Sequence, residues 1–521
     1  MRILAVLAIG ILASRTALGV DNPIVSPFET DSAVVQATAV DSLVQTALQQ
    51  HGIEPANVCS DEVFVRRVYL DVIGTLPSQP EILIFLTSPA PDRRAKLIEA
   101  LLEREEFADY WALKWCDLLR VKAEFPINLW PNAVQAYHRW IRDSIRANKP
   151  YDEFARELLT SSGSNFRVPP VNFYRAVQGR TPQGLAAATA LTFMGTRLEH
   201  WSEKDRADLS VFFSRVAYKK TDEWKEEIVV LDPTATEPLN AVFPGGTTVT
   251  IPATEDPRVV FADWLITPEN PWFTKAAVNR VWSWLMGRGI IHEPDDIRPD
   301  NPPVNLELLS YLEKEFVESK YDLKQLFRVI LNSRTYQQSP ISRSTSPEAE
   351  ALFAHYMVRR IDAEVVADAL NWICGSGEEY QSLIPEPYTN IPEELRTIAL
   401  ADASITSPML EVFGRSPRDT GLESERDNQP SDRLCLHMLN STHIQRKIMT
   451  SSRIRQLVAT SKGDSREAIR TVYLTVLSRY PTDAEIATVI DYAWDQGGKA
   501  DQTALDLVWA LVNSKEFLYR H

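Results

Sequence analysis

Past residue 19, no stretch of this chain approaches the ~20 uninterrupted apolar residues that a membrane-spanning helix needs. Cysteine is scarce: Cys59, Cys116, Cys374 and Cys435 are the four present, and no two lie close together. Metal or nucleophilic chemistry at cysteine wants thiols at short ligand spacing, and none occurs. The thiols are read as buried groups or as one bridge, with the connectivity left open. A Gly-x-Ser-x-Gly elbow, a His-Glu-x-x-His pair and a phosphate loop are all missing, so no standard hydrolase or kinase motif indicates a reaction. Positive charge is short as well. The formal charge is −15, and an acidic chain lacks the clustered Lys and Arg that nucleic acid or anionic membranes attract.

What is present reads first as an export signal. Arg2 is a charged start, Ile3 to Ala13 an apolar core, and Ala17-Leu18-Gly19 supplies small residues before a cut at Val20. Residues 1–19 are therefore expected to be removed, leaving a soluble periplasmic or extracellular chain of charge −17 once Arg2 and Arg15 are gone. Residues 20–32 read as a flexible N-terminus. Thirteen Trp and 33 Pro against 19 Gly indicate a firm core joined by stiff connections.

The pattern is mainly helical: two multi-helical regions joined by a short β-containing segment. Ser60 caps a helix with Asp61 and Glu62 in its positive first turn. Ser78 with Glu81 reads as a capping box, and Phe107, Tyr110, Trp111, Trp115 and Leu118 line an aromatic face. Pro131 opens a helix carrying Val134, Tyr137, Ile141 and Ile145. Ile228–Leu231 and Thr247–Ile251 are β-branched runs around Pro-Gly-Gly. The expected organisation is a helical domain over 33–218, a β-containing linker over 219–255 and a second helical domain over 256–521. A Pro-punctuated loop over 375–430 is long enough to be functional or mobile.

One helical unit occurs near both ends. Val68-Tyr69-Leu70 with Pro77-Ser78-x-x-Glu81-Ile82 recurs 404 residues later as Val472-Tyr473-Leu474 with Pro481-Thr482-x-x-Glu485-Ile486. Leu97, Leu101 and Phe107 are echoed by Leu507, Leu511 and Phe517, so 63–107 and 467–517 are expected to be matching hairpins.

The stretch Trp264–Pro303 organises the second half. Val278, Val281, Trp282 and Leu285 form a helical stripe, and Gly287 is a helix stop. Asp256-Pro257-Arg258, Asn279-Arg280-Val281-Trp282, Gly287-Arg288-Gly289 and Pro294-Asp295-Asp296 resemble the secreted planctomycete-type proteins that pair domains of unknown function 1549 and 1553. Arg67-x-Tyr69-Leu70-Asp71 and Glu157-Leu158-Leu159-Thr160 match the N-terminal partner; Phe413-Gly414-Arg415 and Asn513-Ser514-Lys515-Glu516-Phe517 match the C-terminal one. The resemblance implies association with cytochrome-like modules and polysaccharide-degrading systems, and carries no reaction. Relatives typically hold a Cys-x-x-Cys-His run where this chain reads Gly195-Thr196-Arg197-Leu198-Glu199-His200. Covalent haem needs both thiols, so no cofactor is expected. Protein exported from a haem-maturing host should show no Soret band that survives denaturation, and such a band would contradict this reading.

Two clusters bear chemistry. His292, Asp295, Asp296 and Asp300 could form an oxygen-rich cation site, but Pro at the turns favours a rigid loop salt-bridged to Arg280, Arg288 and Arg298. Arg415, Arg418 and Arg426, interleaved with Glu423 and Glu425, suit carboxylate or sulfate recognition. The long loop is expected to fold over the 282–303 stretch, its arginines pairing with acids there. Surplus arginine, with Arg280 and Trp282, would then face an anionic or hydroxyl-rich ligand. The function expected is a non-catalytic binding or assembly component, its partner a glycan or another exported protein. The alternatives are a carboxylate-dependent glycan hydrolase and an electron-transfer-associated protein.

Overall fold

The computed structural model describes residues 24–30, 35–124, 129–385, 388–389, 391, 394–495, 497 and 500–521. The expected signal peptide, residues 1–19, lies outside these residues. The chain is mainly α, and its helices begin where the local chemistry dictates. Ser60 accepts the Val63 amide at the head of Asp61–Val72, while Ser78 and Glu81 close a capping box on Gln79–Thr87. Gly287 ends Phe273–Met286 at φ 83°, and a Cβ there would press on Met357 and Arg359.

The β structure is small and antiparallel. Glu227–Leu231 lies between Gly163–Ser164 and Val216–Lys220, with Val216 opposite Leu231. Leu239–Val242 pairs with Thr248–Ile251 around Pro244-Gly245-Gly246. Apart from Gly163–Ser164, these strands lie in the chain between the two helical regions, which share one hydrophobic core running from Val40 to Leu518.

The regions are interlocked as well as packed. Arg66 reaches from Asp61–Val72 to the carbonyls of Val476 and Phe517 (2.8 and 3.1 Å). Arg67 donates to the carbonyls of Tyr336, Gln338 and His521. The final strand, Tyr519–Arg520, pairs with Arg359–Arg360. Within the segment read as flexible, residues 24–30 are docked instead: the buried Glu29 meets Arg343 at 3.1 Å and Thr30 bonds to Val58. All four cysteines are free thiols, with Cys59, Cys116 and Cys374 buried and Cys435 exposed.

Helices Asp61–Val72 and Gln79–Thr87 begin 404 residues before Ser465–Leu477 and Asp483–Asp495. Each set carries a guanidinium between two glutamates and near a tyrosine ring. Arg104 meets Glu81 and Glu106 at 2.7 and 2.6 Å, 5.7 Å from the Tyr69 centroid. Arg479 meets Glu485 and Glu516 at 2.8 and 2.6 Å, 5.3 Å from Tyr473. The arginine comes from a different place in each.

Candidate functional site

The helix Glu105–Leu118 has two faces. Trp111 and Trp115 go into the aromatic core, where both rings meet Trp284. Tyr110, Lys114 and Asp117, spaced one turn apart, line the other face and are buried. Against that polar face fold the N-terminal turn of Ala363–Cys374, the long loop and the chain's last strand. Asp362 receives Tyr110 (2.7 Å), Lys114 (3.0 Å), Arg520 (2.8 Å) and Asn428 (2.8 Å). Asp117 takes Arg418 at 2.8 Å and Arg426 at 2.7 Å. Glu364 takes Arg426 at 2.6 Å and Arg415 at 3.2 Å.

Burial alone would raise Asp362 and Glu364, but the cations around them win. Lys114, Arg520 and Arg426 hold Asp362 well below the usual carboxylate range. Arg426 and Arg415 hold Glu364 at about 2 despite its desolvation. Burial lowers Lys114, and Asp362 offsets only part of that.

This geometry corrects the charge pairing expected from sequence. Arg415, Arg418 and Arg426 pair with Glu364 and Asp117, not with the acids of 292–300. Their remaining donors close on main-chain carbonyls rather than a ligand: Arg418 bonds Val121 and Ala401 (3.0 and 2.9 Å), and Arg415 bonds Ile405 and Asp402. Desolvated guanidinium groups with every face engaged act as a clasp.

The long loop does reach the 282–303 stretch, through Glu423. Its amide donates to Asp295 at 2.6 Å, and its carboxylate accepts from the Trp284 indole at 2.7 Å. Desolvation raises Glu423, Lys114 and Arg280 oppose it, and Asp295 adds to the rise. Glu425 instead caps the backbone amides of Asp419, Thr420 and Gly421. Arg280 is buried on Asp295 (2.8 Å) and the Thr192 carbonyl. Trp282 is closed off from solvent against Phe353, so it presents no stacking face.

The acids considered for a cation are taken up by basic side chains instead, Asp295 by Arg280 and both Asp296 and Asp300 by Arg298. Asp296 meets Arg298 and His200 (3.2 and 3.7 Å), Asp300 meets Arg298 at 3.5 Å, and burial lowers His292. No group of three or more His, Cys, Asp or Glu among the described residues could hold a metal ion.

An open site lies on the outer side of Pro131–Arg146. That helix buries Val134, Tyr137, His138 and Ile141 and turns Asn132, Gln135 and Arg139 outward, with Arg142 and Asp143 half-buried beside them. Between this polar stripe and a wall formed by Tyr388, Thr389 and residues 395–405 runs an open groove of about 770 Å³. Arg142 is fixed by Asp109 at 2.5 Å and Glu105 at 2.8 Å, with Asp143 3.9 Å away. At one end, Trp130 packs edge-on against both Tyr388 (5.5 Å) and Trp224 (6.3 Å). Trp224 and Tyr388 are 67% and 51% exposed beside hydrogen-bonding groups, with the Lys225 ammonium 5.3 Å from the Trp224 centroid. Lys225 lies 5.1 Å from the Trp130 centroid.

Sequence reading missed this groove. Its aromatic members are separated by long stretches of chain, and no local pattern joins them. The local signal is the outward stripe at 132, 135 and 139, masked by the stronger apolar face of the same helix.

A mainly helical chain with an arginine-clasped interior and an aromatic-rimmed outer groove is the class defined here. Family models named Protein of unknown function (DUF1549) and Protein of unknown function (DUF1553) match residues 39–214 and 257–493. The chain belongs to the proteins that pair these two domains in that order. Neither a curated protein nor a solved structure matches it.

Proposed function

We propose that this is an exported, non-catalytic glycan-binding component, with its ligand seat in the groove beside Pro131–Arg146. The observation that carries the reading is a pair of exposed aromatic side chains beside a stripe of planar polar groups: Tyr388, which lines the groove, and Trp224, joined to it through Trp130. Apolar sugar faces stack on aromatic rings, and forked groups such as Arg139, Asn132 and Gln135 bond adjacent hydroxyls. The matched helix bounds and glutamate clasps support reading 63–107 and 467–517 as one unit used twice.

The hydrolase alternative asks for two carboxylates facing across an open cleft, one of them free to deliver a proton. In this groove Asp109 and Asp143 both lie on Arg142, which favours binding over proton transfer.

The test is a glycan-array screen of the mature chain, with hits titrated calorimetrically. Trp224→Ala and Arg139→Ala each change an exposed side chain, and each is expected to weaken binding about tenfold, some 1.4 kcal/mol. An empty array, or hits that neither variant weakens, would overturn the assignment of the seat. Hydrolysis of a bound glycan that Asp109→Asn abolishes would overturn the non-catalytic reading.

A further inference from the structure

The helices Ser465–Leu477, Asp483–Asp495 and Ala500–Val512 enclose a second, apolar groove of about 280 Å³. Ala468, Val472, Val489, Ala504 and Leu507 line it, and Trp494 stands on its rim 79% exposed. The corresponding helices near the N-terminus have this space filled, and the side chains explain the difference. Counting back 404 residues, Phe64 stands in place of Ala468 and Phe85 in place of Val489. Counting back 410 along the third helix, as Leu507 matches Leu97, Arg94 stands in place of Ala504.

In the N-terminal unit the Phe64 and Phe85 rings stack with centroids 5.9 Å apart. The Arg94 guanidinium covers Phe64 at 4.6 Å and is anchored on Asp61 at 2.8 Å. The filled slot thus holds a phenyl ring under a cation beside an acid. The C-terminal slot keeps its apolar walls but lacks both ring and cation. Asp491, Asp495 and Asp501, on two of the same helices but outside the groove lining, are exposed.

We propose that this groove docks a partner polypeptide through an aromatic side chain flanked by basic residues. The aromatic ring takes the volume that Phe64 occupies in the N-terminal unit. A basic neighbour takes the place of the Arg94 guanidinium over that ring, and Trp494 on the rim flanks it. The docking site is separate from the glycan groove and does not depend on it.

Calorimetric titration of the full mature chain with acetyl-Gly-Arg-Phe-Arg-Gly-amide tests the proposal. Saturable binding is expected, weakened about tenfold or more when Ala replaces Phe or Glu replaces both Arg. Ala468→Phe, which restores the residue of the N-terminal unit, should abolish binding. The exposed change Trp494→Ala should weaken it about tenfold and leaves the core untouched should Ala468→Phe misfold. Arg139→Ala should bind normally. No binding at millimolar peptide, or equal binding by both groove variants, overturns the proposal. So does a dimer in sedimentation that Trp494→Ala dissociates while the peptide fails to bind, since a second copy would then own the groove.

Discussion

Arg426→Ala is expected to lower the free energy of unfolding by about 4 kcal/mol, because it strands two buried carboxylates at once. Arg426 donates to Asp117 at 2.9 and 2.7 Å and to Glu364 at 2.6 and 3.1 Å. Its loss leaves Asp117 with Arg418 alone and Glu364 with Arg415 alone. These acids sit on two different helices, and the arginine comes from the long loop, so the variant also releases the loop from both. Lysine should not rescue, since a point-like ammonium cannot supply four donor contacts in a planar fork. Chemical denaturation followed by circular dichroism measures the change. A loss below about 1 kcal/mol, the scale of an exposed pair, would contradict the clasp.

Acidification should weaken the fold before ordinary carboxylates titrate. Burial lowers His138 from 6.5 to about 3, and Arg418, Arg142 and Arg139 push in the same direction. Between those values the unfolded chain binds a proton that the folded chain refuses, so stability is complete above pH 6.5 and falls as pH drops toward 3. At pH 5 the loss from this residue is about 2 kcal/mol. Glu364, held at about 2 against an ordinary 4.5, adds a further loss once pH falls below 4.5. Denaturant midpoints at pH 7 and pH 5 read the first effect, and His138→Gln should shrink the difference by about 2 kcal/mol. A wild-type midpoint unchanged over this range, or an unchanged slope in the variant, would contradict the assignment.

Much of the fold was legible because its signals are local. The Ser60 cap, the Ser78–Glu81 box, Pro131 at a helix start and Gly287 at a helix end each act within one turn of chain. The clasp was legible only in part. The arginines at 415, 418 and 426 stood out, but their partners did not, since the Arg418–Asp117 contact spans 301 residues. The nearest rich supply of acid, at 293–300, was the wrong one. It is occupied by its own arginines: Arg197 on Glu293 (2.6 Å), Arg280 on Asp295 and Arg298 on Asp296. Lys114 and Asp117 were hidden because the same helix shows a stronger aromatic stripe. The surplus of guanidinium over carboxylate suggested a ligand, whereas main-chain carbonyls of the long loop and of Val121 absorb it. Charge counting along a sequence does not register those acceptors.

Hydrogen exchange read by mass spectrometry, with and without a saturating glycan from the array, tests most directly where the ligand sits. The outer-groove account predicts added protection in 129–146 and 394–405, with residues 408–427 and 273–297 unchanged because the clasp is already closed. Protection confined to 408–427 and 273–297, with the outer groove unaffected, would place the ligand among the buried arginines and contradict it.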